Sequence, residues 1–269
     1  MIESAGAIVL LVAGSLLAAL TLGQLRWLRV AQRVQYLPGE VIRIERLWFA
    51  RRPLGIFWWV LALGLALLGQ SSSVLGVETL IWLSVAAPLI AALAPWRMPL
   101  VGVTKPLQLT PRLWRVLAMS VFLLVLVSLV SLWFLGAAGA VVPVVLHALV
   151  MDLALALLWP VERALQKPYL REAQATLKRV RPKIVAITGS YGKTSTKGYV
   201  AQLLQSSYQV VASPASFNNL MGLSRAVNDT LGANTEVFVA EMGMNAEGRI
   251  RELGQWFPPD IAAITVIGE

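Results

Sequence analysis

Residues 183–205 read KIVAITGSYGKTSTKGYVAQLLQ, and this stretch decides the fold of the second part of the chain. Its first six residues are a short apolar run rich in β-branched side chains, the composition of a buried strand. Glycines follow at 189 and 192, and residues 196–205 suit a helix. Strand, glycine loop and helix form the context of a phosphate-binding loop, because glycine lets the backbone turn tightly and aim its N–H groups at phosphate oxygens. In that setting Lys193 neutralises the β- and γ-phosphates of a nucleotide and the Thr194 hydroxyl ligates Mg2+. The spacing departs from the common GxxxxGK[ST] pattern: Ile187 stands five residues before Gly192, and the variant here is G-x-x-G-K-T. A turn carrying a surface lysine is the plainer alternative. The flanking strand and helix favour the phosphate loop.

Downstream, residues 208–212 read as a second strand, 213–219 (SPASFNN) as a polar loop and 220–231 as a helix. Residues 236–240 (EVFVA) form a third strand that runs into Glu241-Met242-Gly243. A helix at 246–256 and a fourth strand at 260–267 (DIAAITVI) complete the pattern. Strands alternating with helices through short loops predict a parallel, doubly wound α/β sheet. Glu241 then falls at the carboxyl end of a parallel strand, where such sheets bind ligands. It reads either as a second Mg2+ ligand opposite Thr194 or as a solvated carboxylate at a strand end.

Upstream of residue 160 the chain changes character. Over all 269 residues, 57% are hydrophobic and 14% charged, against about a quarter charged in an ordinary soluble domain. The apolar excess belongs to residues 1–159, which also hold nine of the ten tryptophans. The absence of cysteine excludes disulfides, thiol nucleophiles and zinc–thiolate sites, and a single histidine excludes a two-histidine metal site. Five segments, at 5–24, 54–69, 77–94, 116–135 and 140–159, approach the length of about 20 apolar residues that a membrane-spanning helix requires. Residues 26–52 and 95–115 carry 11 Lys and Arg between them, and the loops at 1–4, 70–76 and 136–139 carry none. By the positive-inside rule the N-terminus lies outside the cytoplasmic membrane and everything after Trp159 lies in the cytoplasm. Trp27, Trp96, Trp114, Trp133 and Trp159 fall near the predicted helix ends, as an interfacial belt would. Residues 25–34, with Arg26, Arg29 and Arg33 at helical spacing, read either as a headgroup-plane segment that meets membrane lipid or as a solvated loop; Pro38-Gly39 then makes a turn. His147 and Asp152 lie inside the fifth segment, where ionisable groups usually face other helices. Five residues apart on a helix they point roughly 140° away from each other, so they do not make one site. Hydrogen bonding between helices is the favoured reading over a proton relay. Residues 160–182 read as a charged, helical connector.

The ordered segments ITGSYGKTSTK, SPASFNNLMGLSRAVN, VFVAEMGMNAEGRIREL and PPDIAAITVIGE together resemble the central ATP-binding domain of the Mur ligases, over about residues 183–269. The resemblance is nearest to the type that adds D-Ala-D-Ala to a UDP-linked muramoyl tripeptide, and the amino-terminal part is similar to a membrane-attached group of Mur-like ligases. It implies an ATP-dependent, Mg2+-requiring amide-bond-forming enzyme of peptidoglycan precursor synthesis. Its substrates would be a UDP-linked or lipid-linked muramyl peptide and an amino acid or dipeptide. By this resemblance Gly189, Ser190, Tyr191, Gly192, Lys193, Thr194 and Ser195 are the phosphate loop, with Lys193 and Glu241 serving catalysis and Thr194 and Glu241 holding Mg2+. Asn218 and Asn219 match a pair that orders the nucleotide end of the site. Ala215, where the family often has glycine, and Met244-Asn245-Ala246 depart from its pattern. The resemblance also implies an incomplete central domain, since the family continues past the position of Glu269 to a second-metal histidine, a carbamylated lysine and an acceptor-binding domain.

Two other classes fit the same sequence less well: a membrane scaffold that binds nucleotide without catalysis, and a nucleotide-gated transporter. A nucleic-acid binder is disfavoured despite the basic balance, because 11 of the 23 cations belong to the two membrane-proximal loops.

Overall fold

The computed structural model describes residues 2–68, 77–95, 98, 106–214, 217–244 and 247–268. Trp96, Arg97, Lys105, Ala215, Asn245, Ala246 and the loop expected at 70–76 lie outside the described residues. The chain divides into two compact units, Met1–Pro160 and Val161–Glu269.

The first unit is helical: α1 (Ile2–Arg33), α2 (Glu40–Arg51), α3 (Leu54–Leu68), α4 (Val77–Leu93), α5 (Pro111–Leu135), a 3-10 turn (Gly136–Val141), α6 (Val142–Val145) and the start of α7 (His147–Val180). Arg26, Arg29 and Arg33 ride the last turns of α1, so no separate headgroup-plane segment begins at residue 25. Arg26 is buried, and its Nη1 donates to the Ala92 carbonyl at 2.9 Å. A turn through Pro38 and Gly39 leads into α2, with Gly39 in the left-handed region at φ 85°. That helix has no cap of its own. Asp152 supplies one from α7, accepting from the N–H groups of Val41 at 3.3 Å and Ile42 at 2.8 Å. Orphan amides at a helix N-terminus are what a carboxylate satisfies best. His147 makes a different set of bonds: its Nε2 lies 2.9 Å from Gln24 Oε1, and Gln24 Nε2 donates to Ser120 Oγ at 2.6 Å. The two ionisable residues thus serve separate inter-helix contacts.

At the start of α5, Thr110 caps the helix by accepting from the Leu113 N–H, and Pro111 fills the first turn, where a missing N–H costs nothing. Its end is Gly136, at φ 53°, after which the turn folds back so closely that a Cβ on Gly139 would overlap the Ser131 carbonyl. Alanine dominates one core cluster of this unit, with Ala19, Ala62, Ala66, Ala87, Ala91 and Ala140 letting helices approach closely. A second cluster gathers Trp27, Leu28, Val41, Leu113 and Met151. Trp27 is therefore a core residue and no part of an interfacial belt, whereas Trp114 and Trp133 are exposed.

Length and hydropathy select fewer crossing helices than the five expected. Among the described residues two qualify, Val9–Arg33 and Pro111–Val145, or three if Glu40–Arg51 and Leu54–Leu68, bent by 101°, are one broken span. The reason is geometric. At 1.5 Å per residue, the 15 residues of α3 reach about 22 Å, short of a hydrocarbon core of about 30 Å. Helix α4, at 17 residues, reaches about 26 Å and also falls short.

The second unit takes the rest of α7 and then β1 (Lys183–Thr188), α8 (Lys193–Leu204), β2 (Val210–Ala212), α9 (Leu220–Thr230), β3 (Val237–Glu241), α10 (Arg249–Trp256) and β4 (Ile261–Ile264). All strand pairs are parallel, in the order β2-β3-β1-β4. Alternate side chains of a strand face opposite sides. Ile184, Ala186, Phe238 and Ala240 pack with Leu223, Ala226 and Val227 of α9, Leu253 of α10 and Ala173 of α7. Val185, Ile187, Val237 and Val239 pack on the other side with Ala201 of α8. Both faces are covered at the central strands β1 and β3, which is why β1 reads as an unbroken apolar run, whereas β4 is exposed along its length. Residues 160–182, expected as a connector, do more than connect, since Ala173 and Leu177 belong to this core.

Candidate functional site

The site is built where β1 and β3 end. These strands pair in register, Ile187 beside Glu241, so the loop after β1 and the carboxylate closing β3 emerge side by side. The strand order reverses direction between them, with β2 reached on one side and β4 on the other. A crevice at such a switch point is where open parallel sheets place ligands.

Gly189 and Gly192 shape the loop. Both have positive φ, 139° and 76°, which L side chains rarely adopt, and a Cβ on Gly189 would also overlap Thr265 Oγ1. The loop is pinned from the β4 side: the Ser190 N–H donates to the Val266 carbonyl at 2.6 Å, and Thr265 Oγ1 donates to the Tyr191 carbonyl at 2.6 Å. Ser190 Oγ accepts from the Gly268 N–H at 3.0 Å. Tyr191 is exposed through its ring, and Ser195 is exposed on the first turn of α8. Gly192 sits at the cap of α8, whose first-turn N–H groups have no partner within the helix and give that end a partial positive charge. Lys193 curls over the loop and donates to the carbonyls of Gly189 at 2.6 Å and Ser190 at 3.3 Å.

Glu241 is the hub opposite. It is 3% exposed, and its Oε2 accepts from Thr194 Oγ1 at 2.9 Å and Lys197 Nζ at 3.1 Å. Asn218 Nδ2 donates to its Oε1 at 3.3 Å, and its own N–H donates to buried Ser213 Oγ at 3.0 Å. Burial pushes the Glu241 carboxyl up, but hydrogen bonds from Lys197, Thr194 and Asn218, with the Lys197 charge, outweigh it and hold the group below its ordinary 4.5. The structure thus brings Thr194, Asn218 and Glu241 together and separates Asn219 from them. Asn219 caps α9 instead, its side chain accepting from the Gly222 N–H at 2.9 Å.

Lys197 and Ser213 were missed in the sequence. Lys197 had a usable signal, standing one helical turn beyond Lys193 and Thr194 and hence on their side of α8. Ser213 had none, because its role depends on how β2 lies against β3.

The donor set suits Mg2+. Oxygens coordinated at about 2.1 Å in an octahedron lie about 3 Å apart when adjacent. Thr194 Oγ1 and Glu241 Oε2 stand 2.9 Å apart, a separation held here by the hydrogen bond between them, and they are the two oxygens that could serve as ligands. Among the described residues no group of three or more His, Cys, Asp or Glu gathers. A metal here would complete its shell with water and phosphate, as Mg2+ does.

A parallel sheet with helices on both sides, a glycine loop opening a helix and a carboxylate closing the neighbouring strand are the parts from which phosphate-binding α/β domains are built. Within that class, residues 187–269 match the family described as Mur ligase middle domain. The chain is 41% identical over 97 residues to UDP-N-acetylmuramoyl-tripeptide–D-alanyl-D-alanine ligase of Bacillus subtilis (strain 168), covering 36% of this chain and 21% of that protein. It is 43% identical over 107 residues to the protein of the same name from Rickettsia prowazekii (strain Madrid E), covering 39% and 22%. The chain spans about a fifth of the length of these relatives.

Proposed function

We propose that the second unit binds ATP with Mg2+ and supplies the nucleotide half of an amide-bond-forming ligase acting in peptidoglycan precursor synthesis. The observation that carries this reading is the convergence of Thr194, Asn218 and Glu241 beside a lysine-bearing glycine loop. The name of its relatives favours a UDP-linked muramoyl tripeptide and D-Ala-D-Ala as substrates, with a lipid-linked donor or another amino acid as variants. ATP supplies the phosphoryl group: a substrate carboxylate oxygen bonds to the γ-phosphorus as the bond to ADP breaks, and an amine then displaces phosphate from the acyl carbon and loses a proton. Phosphoryl transfer of this kind depends on positioned charge. Lys193 leaves its loop carbonyls for the phosphates, the α8 N-terminus adds its N–H groups, and Glu241 and Thr194 hold the metal.

The first unit serves as a membrane anchor in this proposal, with the N-terminus outside and the ATP-binding unit in the cytoplasm of a bacterial cell, an arrangement that takes an odd number of crossings. Two long apolar helices, the loop charges and outward-facing Leu10, Leu17, Phe122 and Phe134 support it. In the native protein, Lys193→Ala and Glu241→Ala should each abolish ATP-dependent joining of D-Ala-D-Ala to the muramoyl tripeptide while leaving the protein in the membrane fraction. Substantial ligation surviving either change would sink the assignment.

A further inference from the structure

Lys197 has no task in the reaction just described, yet it is 5% exposed, and lysine is seldom buried without a partner. Its ammonium lies 3.1 Å from Glu241 Oε2, the same oxygen that Thr194 Oγ1 reaches at 2.9 Å. A fixed cation and a divalent-metal donor set therefore share one carboxylate oxygen. We propose that Lys197 is a positioning residue, a built-in cation that holds Glu241 Oε2 against Thr194 and competes with divalent metal for that oxygen. The proposal rests on the ATP–Mg2+ reading of the loop and adds regulation of metal entry to it.

The physical consequence is an order of binding. With the carboxylate already paired, a divalent cation arriving alone meets a like charge a few ångströms away and gains little. Anionic phosphates in the glycine loop reverse that balance, so metal enters together with nucleotide. The pairing also fixes the Glu241 rotamer beforehand, so that carboxylate need not be ordered when the ligand arrives. A merely structural ion pair behaves differently: loss of its lysine destabilises the fold, and divalent cations do not repair it.

The test uses the full 269-residue chain in detergent, without nucleotide, and Mn2+ as the probe. Mn2+ affinity and thermal unfolding are measured for the wild type, Lys197→Met, Lys197→Gln and the double variant Lys197→Met with Glu241→Gln. Both single variants should bind Mn2+ at least about ten-fold more tightly than the wild type, since a neighbouring unit charge has been removed. Mn2+ should raise their Tm and leave that of the double variant unchanged. Equal Mn2+ affinity in wild type and single variants would overturn the proposal. So would an equal gain in the double variant, or single variants that remain unfolded with Mn2+ present. If Mn2+ separates the variants as stated while the wild type ignores Mg2+ and ATP, the nucleotide reading fails and the role of Lys197 is upheld.

Discussion

At the scale of single residues, Gly189 and Glu241 place the strictest demands on the sequence. Gly189 combines a φ of 139° with a space that Thr265 already fills. Gly189→Ala should therefore cost on the order of 2–4 kcal/mol, strain and overpacking acting together, read as a lower midpoint in urea unfolding. An alanine variant as stable as the wild type would mean the loop relaxes freely. The residues that make the site differ in how they could be read. Gly192, Lys193 and Thr194 were legible because their chemistry is local and contiguous. For Lys197 the spacing on α8 marked the side of the helix but not the partner, because a salt bridge between residues 44 apart is set by the register of β1 on β3. Asn219 resembles Asn218 in sequence, and only the start of α9 separates a cap from a site residue.

At the scale of elements, two connections carry predictions. Asp152 caps α2 across more than a hundred residues, so Asp152→Ala should cost about 1–2 kcal/mol and speed hydrogen exchange at the Val41 and Ile42 amides. Unchanged exchange there would show that the cap contributes nothing. Asp260 ties the start of β4 to β1: its Oδ2 accepts from the Ile184 N–H at 2.8 Å and its Oδ1 from Lys183 Nζ at 3.1 Å. The Ile184 hydrogen bond first, then Lys183, holds the Asp260 carboxyl below its ordinary 3.8. A lowered folded-state value means stabilisation that is complete above 3.8 and lost as pH falls through the lowered value. Asp260→Asn should therefore flatten the acid limb of the unfolding curve below that pH, and an identical acid limb in the variant would contradict it. The strands themselves were legible to within two or three residues, since buried parallel strands leave apolar runs. The helices of the first unit were less so. Apolar composition marks burial or lipid equally well, and it does not reveal that the loop expected at 26–52 holds the helix α2, bent by 101° from α3.

At the scale of the whole molecule, an apolar helical unit and an α/β unit share one chain without cysteine. That lack makes orientation directly measurable. With the proposed topology, a cysteine placed at Ser4 should react with an impermeant maleimide added to intact cells, and one at Ser206 should react only after lysis. Labelling of Ser206→Cys in intact cells would reverse the orientation. The most direct test of the central claim is calorimetric titration of the full chain with ATP in the presence of Mg2+, beside Lys193→Ala. Saturable one-site binding by the wild type is expected, weakened at least about ten-fold by the loss of the loop cation. Absence of ATP binding, or equal binding by Lys193→Ala, would contradict it.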